Sequence, residues 1–195
     1  DRANGELITP VTERAVPQTD LPGEDTAASQ PFSTGMPSFA YPVIREQDLF
    51  GITPFDQMSC RKTFLNLRYD GPMTPPSVKG TLLYPGPAGG MNWGSVAVHE
   101  RRQLMVVNNY HLPFTVHMIP REKDLAQKEG EFSSGYGIGG PQRGTPFAAK
   151  VEVFSSPLSL PCLKPPYGEI SVVDLTTQKI VWRRGLGIWN LGLPY

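Results

Sequence analysis

Polar and apolar positions along the chain fall into short runs, and the clearest runs come in pairs. Gly168–Asp174 and Lys179–Arg183 are two apolar stretches joined by the polar turn LTTQ. Such a pair predicts a β-hairpin. Trp93–His99 and Gln103–Val107, split by the charged turn ERR, predict a second hairpin. Ala148–Phe154 and the short stretch GTLLYP (80–85) are further strand candidates. Between residues 56 and 69 the period changes. Cys60, Phe64 and Leu67 recur at i, i+4 and i+7, one face of a helix. Asp56 stands where that helix needs its N-cap. REKDLAQKEG (121–130), closed by Gly130, is a second helix candidate. The rest of 112–146 reads as a glycine-rich loop. Residues 9–46 are rich in Pro, Thr, Ser and Gly with little periodicity, so an extended packing segment is expected there.

The first residues repeat one of these turns. DRANGEL (1–7) lies over DLTTQKI (174–180), with Asp1 over Asp174, Asn4 over Thr177 and Gly5 over Gln178. The chain is therefore expected to open partway through one hairpin and to close just after a related one. Strands 93–99, 103–107, 168–174 and 179–183 make one four-stranded unit between them, interrupted by long insertions.

Composition narrows the class. At 195 residues the chain suffices for one core. Its 20 glycines and 21 prolines point to a loop-rich, mostly β protein. Charged residues are 18% and the formal net charge is zero, which leaves no footprint for nucleic acid and no polybasic membrane patch. No apolar run reaches the roughly 18 residues of a membrane span. The first residue is not Met and no signal peptide precedes the fold, so an excised or processed chain is expected. Cys60 and Cys162 read as two buried thiols. A bridge is the alternative, and it requires an oxidising compartment and Cα atoms within roughly 7 Å.

GEISVVDLTTQKIVW resembles the tryptophan docking motif of eight-bladed quinoprotein propellers, Ala-x-Asp-x-x-Thr-Gly-Lys-x-x-Trp. Val172, Asp174, Thr177, Lys179 and Trp182 hold the corresponding places. Val172 replaces the small residue, and Gln178 replaces the glycine that relaxes a positive-φ position. In the opening turn the tryptophan place falls on Thr9. The insertions carry a longer resemblance. LFGITPFDQMSCRKTFLNLRYDGPMTPPSVKGTLLYPG, MNWGSVAV, LPFTVHMIPR, GTPFAA and SPLSLPCLKPPYGEISVVDL are similar to the membrane-bound PQQ-dependent dehydrogenases that act on glucose or on quinate and shikimate. The terminal GIWNLGLPY matches less clearly.

This resemblance implies a mostly β fold: about one blade of an eight-bladed quinoprotein propeller, with long insertions carrying short helices. Residues 1–9 would end one blade, 10–90 would be an insertion, and 91–185 the next blade with an internal insertion at 111–167. It implies a periplasmic enzyme that oxidises a sugar or cyclic polyol, with pyrroloquinoline quinone (PQQ) held beside calcium or magnesium. Electrons would pass to ubiquinone in the inner membrane. The catalytic aspartate, a supporting lysine, the main cation ligands and the membrane anchor would all precede Asp1, leaving the chain inactive alone. Its partners would be the remaining blades, or a second copy of the chain covering Trp182.

The one site residue that the resemblance places in this chain is Asn108, as a contact to the quinone. An amide suits that task, because it donates to a quinone oxygen without adding charge. Asn109 is the one-residue alternative, and a turn asparagine closing a strand is the structural alternative. Other candidates read as structural. Asp56 is a cap and His99 a solvated turn residue. His111 and His117 lack metal-ligand neighbours, although His111 follows Asn108 closely enough to face substrate. GYGIGG (135–140) is a loop without the strand and helix of a dinucleotide site. Ser155 and Ser156 have no base nearby. Trp93, Tyr110 and Phe114 read as core or inter-blade packing. A non-catalytic propeller scaffold is the competing class; the long insertions speak against it, since a scaffold needs only short hairpins.

Overall fold

A computed structural model of the chain describes residues 1, 3–39, 43–87, 89–92, 94, 96–121 and 139–186. Nine strands and one α-helix occur in it, with two short 3₁₀ turns. The strands are β1 (Val11–Ala15), β2 (Ser29–Ser33), β3 (Thr81–Leu83), β4 (Val96–His99), β5 (Leu104–Tyr110), β6 (Phe114–Pro120), β7 (Phe147–Val153), β8 (Gly168–Asp174) and β9 (Lys179–Gly185). The helix, α1, is Pro54–Asn66. All strand pairing is antiparallel.

Four strands form the sheet β4-β5-β8-β9, the unit expected from the two hairpins. β5 runs three residues beyond its expected end, so Asn108 lies within the strand, opposite Ile170, and closes no turn. Trp93, the expected start of β4, lies outside the described residues. Alternation gives this sheet two unlike faces. Val107, Asn109, Glu169, Ser171 and Val173 are buried on one. Val106, Asn108, Tyr110, Val172 and Trp182 lie on the other, which is partly bare: Trp182 is 47% exposed and Tyr110 52%. The described residues leave Trp182 about half exposed.

The ends of the sheet differ as well. One end carries two tight turns, at 100–103 and 175–178. There Asp174 Oδ1 accepts the Thr176 and Thr177 N–H groups at 2.7 and 3.0 Å. Asp1 Oδ1 accepts the Ala3 N–H at 2.7 Å in the same way. Gly5 and Gln178, matched in the repeat, have φ of +74° and +56°. The repeat in the sequence is thus a repeat of backbone conformation, and Gln178 adopts the left-handed geometry that favours glycine.

At the opposite end β4 begins, β5 ends and β8 begins, so both long segments leave from it. They pack together there. β3 from the first segment joins β6 and β7 from the second in a three-stranded sheet, order β3-β6-β7. A buried cluster draws Ile44, Leu49, Cys60, Leu67 and Leu82 from the first and Phe154, Cys162 and Leu163 from the second. At its centre is a disulfide between Cys60 and Cys162, Cα atoms 5.4 Å apart. The expectation of two thiols is therefore corrected: the fold brings two cysteines 102 residues apart within bonding reach.

α1 presents Cys60 to this cluster, its C-cap residue Leu67 joins it, and Phe64 is partly buried beside them. Its N-cap is Thr53, whose hydroxyl accepts the Asp56 N–H at 3.1 Å. Asp56 is instead the third helical residue, and its carboxylate reaches back to accept the Ile52 N–H at 3.3 Å. The cap was misplaced because Pro54, which suits the first helical position, moves the start two residues upstream of PFDQ's aspartate. The segment 9–46 contains the exposed hairpin β1-β2, which sequence periodicity did not indicate. β6 lies where only a loop was expected. The helix candidate 121–130 (beyond Arg121), all of GYGIGG but Gly139 and Gly140, and the terminal GIWNLGLPY lie outside the described residues.

The disulfide closes a long loop, so replacing both cysteines by serine is expected to lower stability by about 2–5 kcal/mol. Urea unfolding of wild type and the double variant checks this. An unchanged midpoint would mean that the apolar cluster alone joins the two segments.

Candidate functional site

Polar side chains that bury themselves gather at the covered end of the four-stranded sheet. Asn109 and Glu169 face each other across β5 and β8, with Ser171 two residues on and His111 just past the end of β5. Asn109 and His111 are each 2% exposed and Glu169 is 8% exposed. Burial on this scale demands hydrogen bonds, and they form one network. Asn109 Nδ2 donates to the Phe39 carbonyl at 3.1 Å and lies 2.8 Å from His111 Nε2. The same Nε2 lies 3.1 Å from Glu169 Oε2. Arg183 Nε is 3.7 Å from that oxygen and donates to Ser171 Oγ at 3.2 Å.

One ring nitrogen therefore has two rival partners. With a proton, Nε2 donates to Glu169; without one, it accepts from Asn109. No single state of His111 satisfies both contacts. Turning the amide over would set Asn109 Oδ1 against the Phe39 carbonyl, relieving one contact only by spoiling another. Asn109 Oδ1 itself has no hydrogen-bond partner among the described residues. Burial holds the His111 pKa below the usual imidazole value against the opposing pull of Glu169, and Arg183 adds to the lowering.

Beside this network is a cavity of about 320 Å³. Phe39, Tyr84, Pro85, Met91, Tyr110 and His111 line it. It sits where the two long segments meet the sheet. Tyr110 donates its backbone N–H to Gly90 O at 2.8 Å, and His111 donates to Tyr167 O at 2.8 Å. Gly86 donates to Leu112 O at 3.1 Å, tying the chain after β3 to the chain after β5.

Asn108 is exposed, on the same face as Tyr110 and Trp182. Asn109 is committed to the internal network. The two adjacent asparagines thus have opposite environments, which alternation along β5 dictates. His99 is exposed at the end of β4. His117 is half-buried on β6, remote in sequence pairing from His111, with its pKa lowered by burial and by Lys150 against Glu152. Phe114 is core, at 1% exposure. Ser155 is exposed and Ser156 buried. Among the described residues no group of three or more His, Cys, Asp or Glu is placed to hold a metal ion. An exposed amide fits a carbonyl edge of a quinone; the described residues provide no matching cation cage.

The coupling of His111 to Glu169, and the roles of Phe39 and Tyr84, were not visible in the sequence. Their spacings follow no motif, and only the β5–β8 register brings 111 beside 169.

Comparison with known proteins gives the setting. Residues 1–194 match the family described as PQQ: Glucose/ethanol/alcohol dehydrogenase, beta-propeller domain. The chain is 39% identical over 199 residues to quinoprotein glucose dehydrogenase A of Acinetobacter calcoaceticus, covering 100% of this chain and 25% of that protein. It is 37% identical over 190 residues to the quinate/shikimate dehydrogenase (quinone) of Acinetobacter baylyi, covering 96% and 24%. It is 36% identical over 201 residues to the quinoprotein glucose dehydrogenase of Escherichia coli, covering 100% and 25%. The chain spans about a quarter of the length of these curated relatives. No solved structure matches it.

The buried imidazoles make stability depend on pH in a definite direction. Unfolded histidines take up a proton near pH 6.5, while folded His111 and His117 resist it. The unfolded state then binds more protons, so stability is full above about pH 6.5 and falls as pH drops below it. His111→Gln is expected to flatten part of this dependence, with His117 supplying the remainder. Urea midpoints at about pH 7.5 and pH 5.5 for wild type and variant test it; equal slopes would show that His111 protonates as freely folded as unfolded.

Proposed function

Because the chain belongs to the PQQ-dependent glucose/ethanol/alcohol dehydrogenase β-propeller family, we propose that it is part of a periplasmic dehydrogenase oxidising a sugar or cyclic polyol. In this reading residues 1–9 end one blade, and 91–185 form the next, with insertions at 10–90 and 111–167. Electrons leave through ubiquinone. The relatives named for glucose and for quinate or shikimate support the substrate class. The disulfide supports an oxidising compartment such as the periplasm. No described helix is long and apolar enough to cross a membrane, and membrane attachment is assigned to the rest of the polypeptide.

The observation that carries the reading is the bare amide of Asn108 beside the covered end of the sheet. Asn108 is assigned the contact to PQQ, donating to a quinone oxygen. When bound, PQQ supplies the two-electron acceptor for the alcohol carbon. This chain's contribution is placement: the amide orients one edge of the cofactor, and the two packed segments wall that end of the sheet. The catalytic base and the calcium or magnesium ligands are assigned to other parts of the enzyme. A scaffold role explains neither the bare amide nor the cavity beside it.

Two measurements test this. In the complete enzyme Asn108→Ala is expected to weaken PQQ binding or turnover about ten- to a hundred-fold, the effect of one hydrogen bond to a strongly polar partner of roughly 1.5–3 kcal/mol. Asn109→Ala is expected to lower stability instead, with PQQ affinity measured by reconstitution little changed; the reverse pattern would move the contact to Asn109. The 195-residue chain alone, supplied with PQQ and calcium, is expected to oxidise neither glucose nor quinate in a dye-coupled assay. Turnover there would place the catalytic base inside it.

A further inference from the structure

We propose that the cavity between Phe39, Tyr84, Met91, Tyr110 and His111 receives the ring of the substrate, and that it is built for an uncharged sugar or cyclic polyol rather than for a ring bearing a carboxylate. This rests on the reading of Asn108 as the cofactor contact.

Position is the first argument. Asn108 and Tyr110 alternate onto one face of β5, about 7 Å apart along the strand. A molecule in the cavity therefore lies next to whatever Asn108 touches. Oxidation requires the alcohol carbon to sit against the quinone, so the two sites must adjoin.

Shape is the second. The volume of about 320 Å³ is at the small end of ligand sites and suits a single ring. Three of the lining side chains are aromatic, and Pro85 and Met91 extend the apolar wall. A sugar ring has a face of C–H groups that lies flat on an aromatic surface, while its hydroxyls point to the rim. The walls are also fixed. Backbone bonds hold Tyr110 to Gly90 and Gly86 to Leu112, and Asn109 Nδ2 holds the Phe39 carbonyl. Preformed walls lower the ordering cost of binding.

Charge is the third, and it selects the substrate. Among the described residues the cavity lining includes no lysine or arginine. His111 resists protonation through burial, and the carboxylate of Glu169 stands 3.1 Å behind its ring nitrogen. Arg183, the cation of the network, is turned to Glu169 and Ser171. A carboxylate entering this cavity would give up its water without meeting a positive partner among the described residues, and it would approach Glu169. That loss is large for an ion and modest for a hydroxyl that keeps a hydrogen bond at the rim.

The test uses the complete PQQ-loaded dehydrogenase, with glucose and quinate as probes. Wild type is expected to show the higher kcat/KM for glucose. Tyr110→Ala, at a half-exposed position, is expected to raise the KM for glucose about tenfold, the loss of one ring-face contact, while PQQ reconstitution is retained. Met91→Arg, also at an exposed position, is expected to shift the ratio of kcat/KM toward quinate by placing a cation in the wall. Preference for quinate in wild type, an unchanged KM in Tyr110→Ala, or an unchanged ratio in Met91→Arg each overturns the inference while leaving the PQQ reading intact. A protein that takes up no PQQ overturns that reading and this one together.

Discussion

The covered end of the molecule depends on one junction, where Cys60 of α1 meets Cys162 of the chain before β8. Each long segment brings only part of the buried cluster around that bond. The first offers a helix, a three-residue strand and the exposed hairpin β1-β2, and the second offers a two-stranded ribbon. An isolated hairpin or short helix is marginal in water. Joined, they share a buried cluster and a three-stranded sheet. The covalent bond matters because it spans a long loop, whose closure otherwise opposes the pairing. Once the junction forms, the chain after β3 and the chain after β5 are held side by side, and the cavity exists between them.

The buried polar network answers a different problem. β5 and β8 must place Asn109 and Glu169 inward, because alternation that exposes Asn108 leaves no other choice. Polar groups forced inward require partners, and His111, Arg183, Ser171 and the Phe39 carbonyl provide them. The cost is the rivalry at His111 Nε2. A register fixed by the apolar neighbours Val107 and Val173 therefore decides which asparagine is available outside and which is spent inside.

How much of this the sequence displayed follows from the range of each interaction. The hairpins β4-β5 and β8-β9 are local, so period and turn residues revealed them, and the match of DRANGEL to DLTTQKI foretold the left-handed residues Gly5 and Gln178. The face of α1 was equally local, although Pro54 displaced its cap from Asp56 to Thr53. β6 does alternate apolar and polar residues from Phe114 to Met118, a short strand signal that the glycine-rich reading of 112–146 passed over, and its partners β3 and β7 lie far along the chain. The hairpin β1-β2 was hidden because its positions are mostly exposed and carry no periodic apolar signal. The disulfide and the His111–Glu169 contact are products of long-range register, which one sequence does not encode locally. Asn108 was found by resemblance, and its exposure on β5 is an independent structural fact.

Trp182 and Asn108 occupy the same partly bare face of one sheet. A neighbour broad enough to cover both would link an apolar docking event to a polar contact. A neighbour that buries the indole adds contact area at about 25 cal/mol per Å², on β9, one strand removed from the β5 that carries the amide. By linkage, a ligand held at Asn108 then favours closure at Trp182 to the same degree that closure favours the ligand. Loading and assembly in such an arrangement are two readings of one equilibrium.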